Sequence, residues 1–475
     1  MKIHFLIITF ILSLNSILAQ SGPSFDQYFI KKTMRLDYFH TGTAMEELYS
    51  YDEIFEEPLW SGSIFNLLDT LNLGKYLFKV YDIETNELIY SRGFCSIFGE
   101  WQTTYEAKEN IRRTFSESIR FPWPKKSIKV TMGARDQYNV FQEDWTFIID
   151  PADPDIQKTS FFSDISVVKL IDNGDPNEKV DIVIIPDGYT SMEMDKLRRD
   201  TKHLLEILFF TSPFDERKQD FNVWVVNIPS NMTGIDDPQN NHYVDNILSC
   251  SYNSFGMDRY ILTWDNKTVR KIAARAPYDQ IIILINETKY GGGGIFNLYS
   301  ICVSDNEWSG YIFVHEFGHA FGGLADEYYT SDVTYSDFYT IDIEPWEPNI
   351  TVLLDRNHSK WQDLIEPGIP VPTPWNKEVY DQYEIEYNQL KQKMNSENAF
   401  QSKLDSLTII HDQLIDDFLR NQTYWGKVGV FEGAGYASQG LYRPFVDCRM
   451  FTRSMTGFDP VCRRSIEKVI DFYID

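Results

Sequence analysis

Three runs of nearly unbroken apolar residues, 180–185, 221–227 and 280–285, constrain the fold of this chain more than any other feature. A strand with one face in water alternates apolar and polar residues. A strand that reads apolar at successive positions has both faces covered. Residues 192–210 lie between the first two runs and carry helical spacing, so the second half predicts a mixed sheet flanked by helices. The first half reads differently. Segments such as 76–81, 127–131 and 145–149 alternate and are separated by turn-rich pieces, which predicts an antiparallel β-sandwich over residues 24–150. Asp150-Pro-Ala-Asp-Pro-Asp155 interrupts helix and sheet alike and opens a linker placed at 151–164. The fold class expected is therefore mixed α+β, with a second domain over 165–475. A charged helical stretch at 377–420 predicts an inserted helical hairpin with a solvated face.

At 475 residues, two domains are the natural expectation, and 43% hydrophobic with 15% aromatic residues supplies their cores. A formal net charge of −26 repels phosphates and argues against a nucleic-acid partner. Residues 1–19 combine Lys2, an apolar run and a small-residue end at Ala19, which reads as a secretory signal peptide. No later segment is long and apolar enough to be an integral membrane span, so the expected location is secreted, periplasmic or at the cell surface. Five cysteines in an exported chain permit disulfides. The pairs expected are Cys448 with Cys462 and Cys250 with Cys302, leaving Cys95 alone.

The chemistry concentrates in His315-Glu316-Phe317-Gly318-His319. Histidines four apart project from one helix face, so both imidazoles can reach one ion. Glu316 lies beside the first of them, placed to take a proton from an activated water. Ser309 is the expected N-cap of this helix, which is predicted to run to about Phe321. Gly322-Gly323 ends it and lets the chain turn back. Asp326 is then the nearest group able to return as a third metal ligand, with Glu327 as runner-up. The four glycines 291–294 lack the Lys-Ser/Thr of a phosphate loop and predict close backbone approach at a cleft rim.

The stretch His315-Glu-Phe-Gly-His-Ala-Phe-Gly-Gly-Leu-Ala-Asp-Glu-Tyr-Tyr329 resembles the signature of the bacterial IgA peptidase family of zinc metallopeptidases. Blocks at 186–190, 290–295 and 432–444 are similar to others of that family, so the resemblance covers roughly 165–475, with a matching domain before it. It implies a metzincin-like catalytic domain, one zinc ion and hydrolysis of peptide bonds. It also supports Asp326 as third ligand, one residue beyond the usual metzincin register, where Ala325 stands. It further implies a methionine turn beneath the metal, at Met450 or alternatively Met455, and an oxyanion donor at Tyr442, with Tyr436 second.

The function expected is an exported zinc endopeptidase in which Glu316 acts as general base. The substrate would be a protein or peptide: immunoglobulin by the family's label, with other glycoproteins equally open. The strand expected at 295–299 would pair with an extended substrate. Two rival readings are a non-proteolytic zinc amidase and a binding protein with a vestigial metal site.

Overall fold

The computed structural model describes residues 22–474 apart from 159–161, 163, 331–337, 357, 398–399 and 455. The expected signal peptide and Met455 lie outside the described residues.

The first part of the chain supplies seven strands: β1 (Phe29–Gly42), β2 (Glu47–Glu57), β3 (Tyr76–Asp82), β4 (Leu88–Phe94), β5 (Arg113–Pro124), β6 (Ile128–Ala134) and β7 (Trp145–Ile149). They form two antiparallel sheets, ordered β2-β1-β5 and β4-β3-β6-β7. Alternation along β3 sends every second side chain inward. Its Phe78 and Val80 meet Leu36 of β1, Phe121 of β5 and Val130 of β6 in one shared apolar cluster.

The second part builds a six-stranded sheet from β8 (Ser166–Ile171), β9 (Val180–Asp187), β10 (Phe221–Asn227), β11 (Gln280–Ile285), β12 (Gly292–Ile295) and β13 (Tyr299–Val303). Its order is β12-β13-β11-β9-β10-β8. The four inner strands pair parallel and the two edge strands antiparallel. Strands β9, β11 and β13 are buried at every position, which is why their sequences show no alternation. The edge strand β8 alternates exposed and half-buried residues. Asp187, at the end of β9, accepts backbone N–H groups from Gly188, Ile247, Leu248 and Cys250, and so holds the long loop that follows β10.

Residues 295–299, expected as one strand, are divided: Ile295 ends β12, Tyr299 begins β13, and 296–298 are the turn between them. The first part of the chain docks on this turn. Cys95 N–H donates to Phe296 O at 2.9 Å, and Asn297 Nδ2 donates to Gly93 O at 2.8 Å. The motif helix (Ser309–Gly322) lies against β12 and β13, with the C-terminal helix (Pro460–Ile474) beside it. The helical hairpin expected at 377–420 is two helices, Lys377–Ser396 and Gln401–Arg420, joined where Tyr387 stacks on His411 at 4.1 Å. Its two ends are tied together by Asn376 N–H donating to Gln422 Oε1 at 3.0 Å. A short hairpin of β14 (Phe431–Ala434) and β15 (Ala437–Arg443) follows. Among the described residues, no helix is long and apolar enough to cross a membrane.

Candidate metal centre

The motif helix can lie directly on the sheet edge because that edge is glycine. A Cβ built at Gly294 would stand 2.4 Å from Glu316 O and 3.0 Å from His319 Cβ; one at Gly292 would stand 3.1 Å from Glu316 Cγ. The glycine run thus serves close backbone approach, between β12 and the helix that carries the motif. Ser309 is the first helical residue rather than the cap, and its hydroxyl accepts the N–H of Asn306. At the other end Gly323 takes φ +62°, and the chain folds back toward the histidines.

That return brings three groups together. His315 Nε2 and His319 Nε2 are 3.1 Å apart, and Asp326 Oδ1 lies 3.0 and 3.2 Å from them. Each imidazole has its other nitrogen beside a backbone carbonyl. His315 Nδ1 is 3.0 Å from Arg449 O, and His319 Nδ1 is 2.6 Å from Leu324 O. Donation to those carbonyls puts the ring protons on Nδ1 and leaves both Nε2 lone pairs aimed at the same point. Asp326 Oδ1 is buried with no hydrogen-bond donor, whereas Oδ2 accepts the hydroxyl of Tyr436. Three lone-pair donors converging without a proton between them fit a tetrahedral cation with its fourth position open. Electrostatics agrees. Burial works against the charge of Asp326, yet the two imidazoles hold its carboxyl well below the usual carboxylate range. Burial likewise opposes a cationic His319, but Asp326 draws it up to about 9, so this carboxylate calls for positive charge, a proton or a metal ion.

Asn349 fixes the returning loop. Its side chain accepts Ala325 N–H at 2.8 Å and donates to Ala325 O and Glu327 Oε1, both at 2.9 Å. The β14–β15 hairpin adds Gly435 N–H to Asp326 O at 3.0 Å and Tyr436 N–H to Tyr328 O at 3.0 Å. Met450 is fully buried beneath the motif helix, its Sδ 3.1 Å from a Cβ built at Gly318. The residue before it supplies the carbonyl that orients His315. Glu327, the other carboxylate weighed as a ligand, points away from the histidines toward Asn349 and Cys462. Tyr442 is not brought into this group. It packs in a separate apolar cluster with Leu353 and Trp361 and pairs its backbone with Thr351.

The centre opens into a cleft of about 840 Å³. Its walls include Glu100 and Arg135 from the first part of the chain, and Tyr387, His411 and Asp412 from the helical hairpin. One face of that hairpin therefore faces the cleft rather than bulk solvent. Arg453 clamps it with two hydrogen bonds to Asp412, at 3.0 and 2.7 Å. Burial pushes Glu100 up to about 7, against the Tyr260 hydroxyl that it accepts. Burial also pushes Glu316 up, with the two histidines opposing. None of these distant wall residues carries a local sequence signal, and all five cysteines are free thiols. Cys302 faces Val303 O, while Cys250 lies beside Asp187, and the sulfurs of Cys448 and Cys462 are 3.8 Å apart, so neither expected pair is formed.

Two family models match the chain. One, described as IgA Peptidase M64, covers residues 168–470, and the other, described as Peptidase M64 N-terminus, covers residues 24–146. Among curated proteins, none matches it.

Proposed function

Because the chain belongs to the IgA peptidase M64 family, and is a peptidase on that ground, we propose that it is an exported, zinc-dependent endopeptidase whose ion is held by His315, His319 and Asp326. The observation that carries this reading is the meeting of His315 Nε2, His319 Nε2 and Asp326 Oδ1 within 3.2 Å of one another. A zinc ion there would supply Lewis acidity toward a scissile carbonyl and make water acidic near neutral pH. Glu316, one residue from a ligand and lining the same cleft, would accept the proton and pass it to the leaving amine. Its raised carboxyl suits that role, since a base works best with a pKa close to the working pH.

Strand β12 offers the substrate its backbone. Gly292 directs its N–H to Arg259 O and its carbonyl to Ile261 N, on the side away from β13. Gly294 shares that parity, so its own N–H and carbonyl would pair with an extended peptide passing Glu316 and His319. Tyr436, already bonded to Asp326 and lining the cleft, is better placed than Tyr442 to assist an oxyanion. The architecture fits the same reading: a sandwich of two antiparallel sheets, then a metzincin-like domain with Met450 under the metal. The leader expected at 1–19 supports export, and glycoproteins including immunoglobulin are the proposed substrate class.

The test is cleavage profiling on a proteome-derived peptide library, wild type against Glu316→Ala. The variant should keep its zinc and lose hydrolysis by orders of magnitude. Undiminished cleavage by the variant would overturn the role of Glu316.

A further inference from the structure

A second group of potential ligands lies next to the first and takes no part in the proposed reaction. Glu327, Cys448, Asp459 and Cys462 are all buried, and one ligand atom from each lies within 4.8 Å of the others. The two sulfurs are 3.8 Å apart, and Cys462 Sγ is 3.3 Å from Glu327 Oε1. A tetrahedral zinc with Zn–S of about 2.3 Å and Zn–O of about 2.0 Å sets its sulfurs about 3.8 Å apart and sulfur and oxygen about 3.5 Å apart.

The polar accounting around the group points the same way. Cys448 Sγ accepts two backbone N–H groups, from Met450 at 3.5 Å and Asp459 at 3.4 Å, an arrangement that favours a thiolate. Asp459 Oδ1 caps the C-terminal helix through the N–H groups of Val461 and Cys462, at 2.7 and 3.2 Å. Its Oδ2 and Glu327 Oε2 are buried with no hydrogen-bond partner. Among the described residues, no ion pair reaches either carboxylate. The nearby Arg443 gives its N–H groups to carbonyls, including Gly433 O at 2.7 Å and Val446 O at 3.2 Å. Two carboxylates and two thiols buried together without a cation would have to remain largely protonated, whereas a dication satisfies all four at once.

We propose that Cys448, Cys462, Asp459 and Glu327 form a second, structural zinc site directly behind the His315–His319–Asp326 centre. Softness selects the metal, since thiolate with carboxylate in a closed four-ligand set suits zinc better than calcium or magnesium. The site joins three segments that shape the first centre. Glu327 follows the ligand Asp326 and takes its N–H to Met450 O at 2.8 Å. Cys448 precedes Arg449, whose carbonyl orients His315. Asp459 and Cys462 anchor the helix packed against the motif helix.

The experiment is metal analysis of the purified full chain by mass spectrometry, with X-ray absorption at the zinc edge. Two equivalents of zinc are expected, with a sulfur shell from one of them. His315→Ala/His319→Ala should keep the sulfur-bound equivalent alone, and Cys448→Ser/Cys462→Ser should lose it. Cobalt substitution of the wild-type chain should give a thiolate-to-metal charge-transfer band, a readout that requires no variant to fold. One equivalent of metal with no sulfur shell would overturn the proposal. A denatured chain lighter by two hydrogens, with its mass restored by reductant, would overturn it in favour of a Cys448–Cys462 disulfide.

Discussion

The contact between β12 and the motif helix gives the sharpest test, through Gly294→Ala. Gly294 sits in an extended strand, so alanine meets no backbone strain there, and the cost is steric alone. The new Cβ would be 2.4 Å from Glu316 O, where an ordinary C···O contact is about 3.3 Å. Strand and helix must therefore separate by roughly 0.9 Å, and neither partner is a side chain that can swing away. Overpacking of this kind costs about 1–3 kcal/mol in stability. The functional effect should be larger in proportion, because a ligand set tolerates only about 0.2 Å of error. A displacement near 1 Å at reacting groups costs about 100-fold in rate. Zinc retention against a graded chelator, thermal unfolding and kcat/KM on a profiled peptide measure the three consequences. Gly310→Ala in the same helix is the control. The nearest atom to its Cβ would be Ile207 Cδ1, at 2.5 Å, the end of a flexible side chain that can turn aside, with the next two atoms of the same side chain at 3.6 and 3.7 Å. If Gly294→Ala matches wild type in all three assays, the close approach does not set the geometry of the centre.

Further outcomes follow from other residues. Asn349→Ala strips buried partners from Ala325 and Glu327 and should cost about 2–4 kcal/mol by denaturant unfolding, with weaker zinc retention. Tyr436→Phe leaves Asp326 Oδ2 without its hydroxyl donor, so kcat should fall by about tenfold or more with zinc kept; an unchanged kcat would remove Tyr436 from the reaction. Asp181 and Asp279 form a buried carboxylate pair where the adjacent strands β9 and β11 begin. Burial pushes Asp181 up to about 6, and burial with the neighbouring Asp181 pushes Asp279 well up. Groups raised in this way stabilise the fold below pH about 4; for Asp181 that contribution is lost as pH rises through about 6, and Asp279 loses its own from pH about 4 upward. Asp279→Asn should therefore flatten the fall of melting temperature over that window; an unaltered slope would show that the pair does not titrate there.

The parts legible in the sequence are those governed by local rules. Residues 180–185 and 280–285 announced buried strands because covering both faces abolishes alternation. The spacing of His315 and His319 and the glycine stop at 323 foretold the helix and its return, and hence Asp326. Asn349 gave no sign, since its three hydrogen bonds reach back more than twenty residues to a loop with no sequence relation to it. Residues 295–299 look like one strand because four of the five are apolar, but Phe296 and Leu298 lie in the turn between β12 and β13, where residues 93–95 dock. The hairpin's charges read as a solvated face, because periodicity cannot tell a face toward a cleft from one toward bulk water. Tyr442 and Tyr436 sit on the same hairpin, and only pairing with residues 326–328 places one rather than the other beside Asp326.

The tie between Asn376 and Gln422 has an evolutionary consequence. An insertion whose ends meet can be lengthened, shortened or exchanged without moving the strands and helix that carry the chemistry. One cleft wall is a helical hairpin whose ends meet in this way, held by the Arg453–Asp412 clamp. Preference for substrate can thus drift by rebuilding that wall, while His315, His319 and Asp326, separated from it in sequence, need not change. A change of substrate preference in a chain of this fold would be written first in residues 377–420.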